Sequence, residues 1–190
     1  MEKNRVPELN EASDLSRYSC EHLTYEIKML MALVNSPIPE RDDESVSQWA
    51  HRMAGIESFG LHLRNLIEFF YPSANGGKGR NNDVMATDFL SSQKLPLITE
   101  KLKEARERAN KELVHLTTAR QFGIRATKTW RLDSLDDLKK ILSEFAEKTD
   151  GNRLSKETKD IINQFMKLPV FSELDKGRIG CTGPSQRNVE

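Results

Sequence analysis

The sequence predicts an all-α protein, a bundle of about four to five helices built around two long antiparallel helices. Apolar residues recur at steps of three and four over long stretches, which is the period of a helix with one buried face. Proline, glycine and asparagine interrupt these stretches at intervals, and no stretch alternates like a strand. Long amphipathic helices joined by short connections bury their apolar faces against one another, and a bundle follows.

The first two helices are predicted from apolar spacing and from their end signals. Ser16 or Ser19 is expected to cap the first, which stops at the Asn35-Ser-Pro sequence. The second follows Ser45 for about seven turns and ends at Tyr71-Pro72. Its expected buried residues are Val46, Trp49, Met53, Ile56, Gly60, Leu63, Ile67 and Phe70.

The remaining helices are predicted in the same way. A short helix is expected between Asp83 and Ser92, followed by a third long helix from Pro96 to Phe122-Gly123. Ser134 and Ser155 are expected to cap two further helices. The expected buried residues of these helices are Ile98, Leu102, Ala105, Ala109, Leu113, Leu116, Leu135, Leu138, Ile141, Leu142, Phe145, Ile161, Ile162, Phe165 and Met166.

Length and composition favour one domain. With 190 residues and 37% apolar residues, the chain can bury one sizeable core. We expect a flexible N-terminal arm over residues 1–15, a single domain over 16–169 and a flexible tail over 170–190. The tail is rich in Gly, Ser, Asn and charge and offers little apolar surface to bury.

Composition also narrows the class of protein. The 29 basic and 29 acidic residues balance, so nucleic acid is not attracted by the whole molecule and its binding would need a local patch. The two cysteines, Cys20 and Cys181, predict neither a disulfide framework nor a zinc site. The polar N-terminus and the lack of any apolar run of about 18 residues predict a cytoplasmic protein that does not enter membranes. No cofactor is expected, and the glycines at 76, 77 and 79 lack the spacing of a phosphate-binding loop.

One part of the third long helix combines residue types that can perform chemistry. On a regular helix, Arg108 and His115 share one flank, with Glu112 between them, whereas Asn110 lies on the opposite flank. An imidazole moves protons near neutral pH, and a guanidinium binds phosphate oxygens through paired hydrogen bonds. Arg108 and His115 are therefore candidate catalytic residues for metal-independent RNA cleavage, with His115 taking the 2′-hydroxyl proton.

Two other interpretations of these residues remain open. Arg108 and His115 can each pair with Glu112 along one helix, which makes the flank an ordinary solvated surface. Glu112 and His115 also have the Glu-x-x-His spacing of di-iron bundles, but such sites need a second copy of the motif and the chain has none. His22 with Glu26, His62 and His115 could converge on a single metal ion, although nothing in their spacing requires it, and no metal is predicted.

The third helix lies in the most basic part of the chain. From Lys101 to Arg131, nine basic residues stand against three acidic ones. Such a segment, with Trp130 near its end, could follow an RNA backbone and stack a base, although Trp130 more often serves as core. The candidate binding residues are Arg106, Asn110, Lys111 and Arg120.

Three blocks, residues 59–71, 83–89 and 110–120, resemble the HEPN superfamily, in particular a set of uncharacterised bacterial helical proteins. The resemblance spans about residues 20–150. The HEPN signature is an arginine followed after four to six residues by histidine, which Arg108 and His115 match; Ala109 stands where a polar residue often follows the arginine, with Asn110 one place later. The resemblance implies supporting roles for His62, Arg64, Asn65 and Glu112.

Two functions from different classes are expected. The first is a HEPN-like homodimer that contacts RNA or a nucleotide, with metal-independent ribonuclease activity in a defence or toxin system as its catalytic form. The second is a non-enzymatic protein-interaction module that recruits a protein partner and whose polar helix face is purely structural.

Overall fold

The computed structural model describes residues 11–35, 45–72, 83–90, 94–114, 130–171 and 178–179. Within these residues the protein is helical, as predicted. The α-helices are α1 (Ala12–Tyr18), α2 (Thr24–Asn35), α3 (Val46–Phe70), α4 (Ala86–Phe89), α5 (Glu100–Ala109), α6 (Ser134–Lys148) and α7 (Lys156–Met166). Two strands of two residues each, β1 (Trp130–Arg131) and β2 (Arg178–Ile179), pair antiparallel.

The first helical stretch contains a π-helical turn, the first π-turn, over Ser19–Leu23. It joins α1 to α2 without a break, so the chain is helical from Ala12 to Asn35. The stretch begins before both serines that were predicted to cap it, and Ser19 Oγ instead donates to Ser16 O at 2.8 Å. Leu15, predicted to lie in the arm, is buried in the core.

Helix α3 begins after Ser45, as predicted, and its N-terminus carries a capping box. Ser45 Oγ accepts from the Gln48 amide at 3.3 Å, and the Gln48 side chain accepts from Ser45 N at 2.8 Å. The predicted buried stripe holds from Ile56 to Phe70 and is wrong at the start of the helix, where Val46 is 83% exposed and Trp49 is 41% exposed. Residues 46–51 at the start of α3 are therefore exposed, and Arg52 is the first buried residue of this helix.

The third helix begins later than predicted. Thr99 rather than Pro96 marks its start, since the Thr99 hydroxyl accepts from Leu102 N at 3.4 Å. After Ala109 the α-helix passes into the second π-turn, Asn110–Val114. The predicted continuation to Phe122-Gly123 lies outside the described residues, so a second long helix beside α3 stays a prediction.

The core is built on an aromatic cluster where α3, α4 and α6 meet. Phe69, Phe70, Phe89 and Phe145 make edge-on contacts with ring centroids 5.0–5.8 Å apart. Such geometry sets the positive edge of one ring against the negative face of the next. Ser155 caps α7 as predicted, whereas α6 starts at Ser134 with no side-chain cap. Of the apolar residues predicted to be buried in α7, Met166 is exposed.

The chain after α7 contacts the domain beyond the predicted boundary at residue 169. Phe171 is buried, its amide donates to Asp136 Oδ1 at 2.9 Å, and Arg178–Ile179 pair with Trp130–Arg131. The domain therefore extends at least to Phe171, two residues into the expected tail. No helix in the described part of the chain combines the length and apolarity needed to cross a bilayer.

Candidate functional site

Helix α3 meets α5 and the second π-turn along a polar seam. Arg64 Nε donates to Asn110 Oδ1 at 2.5 Å. Seven residues further along α3, the Tyr71 carbonyl accepts from Arg106 Nη1 at 2.9 Å. The contacts that lie nearer the C-terminus of α3 therefore lie nearer the N-terminus of α5. The bond from Arg64 fixes the orientation of Asn110.

Arg106 is part of the fold at this seam. Besides its bond to the Tyr71 carbonyl, its Nε lies 4.0 Å from Glu68 Oε1, and its side chain is largely buried. The Tyr71 residue ends α3, so the guanidinium satisfies one of the carbonyls that a helix terminus leaves without an intrahelical partner. This predicted binding residue is therefore occupied in holding α3 to α5.

The Arg64–Asn110 pair keeps several hydrogen-bond donors. Its bond uses Arg64 Nε and the Asn110 carbonyl oxygen. Within the part of the chain that the structure describes, the two Arg64 Nη groups and Asn110 Nδ2 make no hydrogen bond. Both side chains are half-buried. A fixed guanidinium and a fixed amide NH₂ side by side form a donor set suited to phosphate or carboxylate oxygens.

The second π-turn changes the geometry on which the catalytic prediction was based. Placing Arg108 and His115 on one flank assumed about 100° per residue throughout. A π-turn contains roughly one extra residue, which rotates the chain beyond it by roughly 100° relative to a regular α-helix. The regular-helix argument for a shared flank therefore does not hold across Asn110–Val114. His115 itself lies outside the described residues.

The remaining predicted residues of this helix divide into two groups. Arg108 is half-buried, and Lys111 is exposed with its Nζ 3.2 Å from Glu107 Oε2. Arg120 and the side chains of Glu112 and Trp130 are outside what the structure describes. Where the chain is described, no three His, Cys, Asp or Glu side chains are grouped to hold a metal ion.

His62 and Asn65 meet a carboxylate of α2 on the other side of α3. His62 Nδ1 lies 2.7 Å from Glu26 Oε2, and Asn65 Nδ2 donates to Glu26 Oε1 at 3.2 Å. The Tyr25 ring stands edge-on to His62 with centroids 5.4 Å apart. His62 and Asn65 were predicted to support the site on the third helix, but only Arg64 of the three reaches Asn110.

Glu26 had only one interpretation from the sequence, as a metal ligand beside His22, and its contacts with His62 and Asn65 were not predicted. It lies three residues after the first π-turn, so a helical wheel drawn from the start of the helix gives Glu26 the wrong angular position. One signal was present, since a carboxylate beside the buried Ile27 needs polar partners. Its charge also acts on Tyr18, where burial first, then Glu26 and Asp83, raise the pKa of the phenol.

No protein-family profile matches the chain, and neither a curated protein nor a solved structure is similar to it. Fold and geometry define the class of an all-α domain with a polar seam between α3 and α5.

Proposed function

We propose that this protein is HEPN-like and contacts RNA or a nucleotide through the seam formed by Arg64, Asn110 and the basic residues that follow on the third helix. The carrying observation is the Arg64 Nε to Asn110 Oδ1 bond. This bond orients the Arg64 guanidinium and the Asn110 amide, and it leaves the Arg64 Nη groups and Asn110 Nδ2 as donors for a ligand. Preoriented donors bind phosphate oxygens more tightly than mobile ones, because less side-chain entropy is lost on binding.

The surrounding charge supports an anionic ligand. The stretch from Lys101 to Arg131 has nine basic and three acidic residues. Arg108 and Lys111 lie within one turn of Asn110, and Arg120 follows in sequence. Arg106 contributes charge nearby, although its hydrogen bonds hold the fold. In this proposal the second π-turn sets Asn110 apart from the regular spacing of α5, a kind of irregularity that is frequent at functional sites.

The sharpest test replaces one amide group. Asn110→Asp keeps an oxygen for Arg64 Nε but exchanges the NH₂ donor for a negative oxygen. We expect binding of a fluorescently labelled single-stranded RNA to weaken at least ~10-fold, the effect of losing one charge-assisted contact. Lys103→Gln is the matched control, since it changes the net charge equally on the same helix and, among the described residues, removes an exposed pair with Glu100.

The proposal is decided by the salt dependence of RNA affinity and by the difference in RNA affinity between the two variants. Phosphate contacts predict that affinity falls as salt rises, with a smaller slope when a contact is lost. Equal RNA affinity for Asn110→Asp and Lys103→Gln would show that the seam does not hold the anion.

The catalytic form of the proposal is a metal-independent ribonuclease of a defence or toxin system. Its expected product is a 2′,3′-cyclic phosphate, formed when the RNA 2′-oxygen attacks phosphorus after losing its proton to His115. The P–O5′ bond breaks in the same step, and the 5′-oxygen takes up a proton from solvent and leaves as a 5′-hydroxyl end. We expect His115→Ala to abolish cleavage in the presence of a chelator while the far-ultraviolet circular dichroism stays unchanged. Cleavage by that variant at the wild-type rate would remove His115 from the mechanism.

We further propose a homodimer that buries at least ~1,000 Å² through the second or third long helix. The exposed start of α3, with Val46 and Trp49, is suited to such an interface. Sedimentation velocity at high micromolar concentration is expected to show a dimer that Trp49→Asp dissociates. A wild-type monomer would contradict this part of the proposal.

The exposed start of α3 also favours the second candidate function, a non-enzymatic interaction module that recruits a protein partner. In that case the polar seam only holds helices together. The module predicts that Asn110→Asp leaves RNA affinity unchanged, and the carboxylate still accepts from Arg64 Nε, so the helices stay joined. The two candidate functions thus give opposite results with one variant.

A further inference from the structure

On the α2–α3 side of the molecule, a histidine is held by a carboxylate. His62 Nδ1 lies 2.7 Å from Glu26 Oε2, and Asn65 Nδ2 occupies the other carboxylate oxygen at 3.2 Å. An ionised carboxylate only accepts hydrogen bonds, so Nδ1 carries a proton. In the neutral ring, Nε2 is then an acceptor with a fixed direction.

Nε2 is available for a further hydrogen bond. Among the residues that the structure describes, it has no hydrogen-bond partner. The side chain retains 7% of its surface exposed, so the ring is almost wholly enclosed by protein. Nε2 is not one of the described side-chain atoms that are both buried and without a partner, so it keeps contact with solvent and a ligand donor can replace water there.

An exposed aromatic ring adjoins this acceptor. Tyr25 is 52% exposed, and its ring meets His62 at an interplanar angle of 78°. This edge contact holds the tyrosine ring in place while half of its surface faces solvent. Leu61, the neighbour of His62 on α3, is exposed as well and adds apolar surface. Aromatic faces of this kind stack flat heterocycles.

We propose that Tyr25 and His62 form a nucleobase-binding subsite, in which a base stacks on Tyr25 and donates an N–H to His62 Nε2. Glu26 and Asn65 are positioning residues that hold the imidazole in the accepting tautomer. The chemistry of the ligand follows from these two residues. The face of the Tyr25 ring stacks a flat ring, and the fixed acceptor His62 Nε2 requires an N–H donor on the edge of that ring. Glu26 already has two partners, so the subsite does not call for a cation.

This inference rests on the proposed RNA contact and names its base-recognition part. His62 and Arg64 lie two residues apart on α3, which places them roughly 200° apart around the helix axis. Phosphate-binding donors at Arg64 and Asn110 and base recognition at Tyr25 therefore flank one helix. A strand crossing α3 over Leu61 and Asn65 reaches both flanks, whereas a mononucleotide does not span them.

The test uses hexa-adenylate RNA and adenosine as separate probes. Tyr25→Ala is expected to weaken hexa-adenylate binding ~5- to 150-fold, the range measured for losing one base–aromatic stack. Tyr25→Phe, which keeps the ring, is expected to bind as the wild type does. Leu97→Ala is the control, because it removes an exposed apolar side chain that belongs to neither flank of α3.

The acceptor is tested with adenosine, which has no phosphate. His62→Phe keeps the ring shape and removes Nε2, and we expect adenosine binding measured by calorimetry to fall with it as it does with Tyr25→Ala. Thermal melting identifies a variant that fails to fold, and Glu26→Gln then serves instead, since an amide no longer fixes the tautomer.

The two proposals fail separately. Loss of hexa-adenylate binding in Asn110→Asp but not in Tyr25→Ala overturns the subsite and leaves the phosphate contact standing. Adenosine binding that is equal in wild type, Tyr25→Ala and His62→Phe overturns the subsite too. Hexa-adenylate binding that is unaffected by both Asn110→Asp and Tyr25→Ala overturns the proposed RNA contact together with the subsite.

Discussion

Lys139 is a charged residue that lies almost entirely inside the protein. Its Nζ donates to the carbonyls of Leu168 at 2.6 Å and Pro169 at 2.8 Å, and it lies 4.9 Å from the centre of the Phe171 ring. Burial lowers the pKa of this ammonium group, and the neighbouring Asp136 acts in the opposite direction. Lys139 and Asp136 together fasten the segment after α7 to α6.

Replacing this lysine is expected to free the segment. Lys139→Met keeps an apolar stem of similar length but leaves two carbonyls without their donor, which costs about 1–3 kcal/mol of unfolding free energy. Urea denaturation measures the loss, and limited proteolysis is expected to cut after Met166 sooner than in the wild type. Lys140→Met is the control, since its side chain is exposed and its ion pair among the described residues is a 4.0 Å contact with Asp137.

Tyr71 gives the protein a pH dependence in the alkaline range. Its hydroxyl donates to Pro96 O at 2.8 Å, and burial, with Glu144 as a smaller cause, raises its pKa to about 12. The unfolded phenol ionises near ~10, so its contribution is complete below that pH and is lost as pH rises toward about 12. We expect Tyr71→Phe to be less stable at pH 8, with the difference from wild type shrinking above pH ~10 in urea titrations.

For single residues, the sequence predicts burial better than it predicts hydrogen-bond partners. Apolar spacing identified Ile56, Leu63 and Phe145 as core, because periodicity along one helix needs no knowledge of its neighbours. The bonds of Arg64 to Asn110 and of His62 to Glu26 join residues 46 and 36 positions apart. Such pairings depend on how helices pack, and a single sequence does not contain that information.

Among the helices, the stability that an N-terminal cap contributes depends on whether the cap is buried. Ser155 Oγ accepts from Thr158 N at 3.0 Å and lies 2.8 Å from Thr158 Oγ1, while Ser155 N donates to Ser19 Oγ at 2.9 Å. Thr24 joins this buried hydroxyl network, with its Oγ1 3.1 Å from that of Thr158. The network ties the first π-turn to the start of α7.

Two cap substitutions separate capping from burial. Ser155→Ala is expected to cost about 1–3 kcal/mol, because it removes a cap and leaves a buried hydroxyl without one partner. Ser45→Ala at the exposed start of α3 is expected to cost about 0.5–1 kcal/mol. Thermal melting should show the larger shift for Ser155→Ala, at roughly 2–4 °C per kcal/mol, and equal shifts would mean that the network adds nothing.

Helix ends were predicted where a side chain marks them, and π-turns were not predicted. Ser45, Tyr71-Pro72 and Ser155 carry recognisable signals, and the helices begin or end there. The π-turns at Ser19–Leu23 and Asn110–Val114 have no comparable signal, because they arise where tertiary contacts stabilise one extra residue. The prediction that Arg108 and His115 share a flank assumed a regular helix between them, and it stays a prediction because His115 lies outside the described residues.

At the scale of the molecule, the segment after α7 decides where the domain ends. Deleting residues 172–190 removes β2 and its pairing with Trp130–Arg131 but keeps Phe171 in place. Deleting 168–190 also removes Phe171, whose burial stabilises the fold by about 1.5–3 kcal/mol. We expect a melting-temperature drop of less than ~2 °C for the shorter deletion and ~4–10 °C for the longer one. Similar drops for both would place the stabilising contacts beyond Phe171.

The first π-turn is a place where the chain can lose one residue and remain helical. Removing one residue from Ser19–Leu23 would let the turn relax into a regular α-helix without breaking the backbone. The segment N-terminal to it would then rotate by about 100°, carrying Leu15 away from the core while Ile27 and Leu30 stayed in place. Related chains with and without this residue are thus expected to share every helix and differ in which face of α1 is apolar.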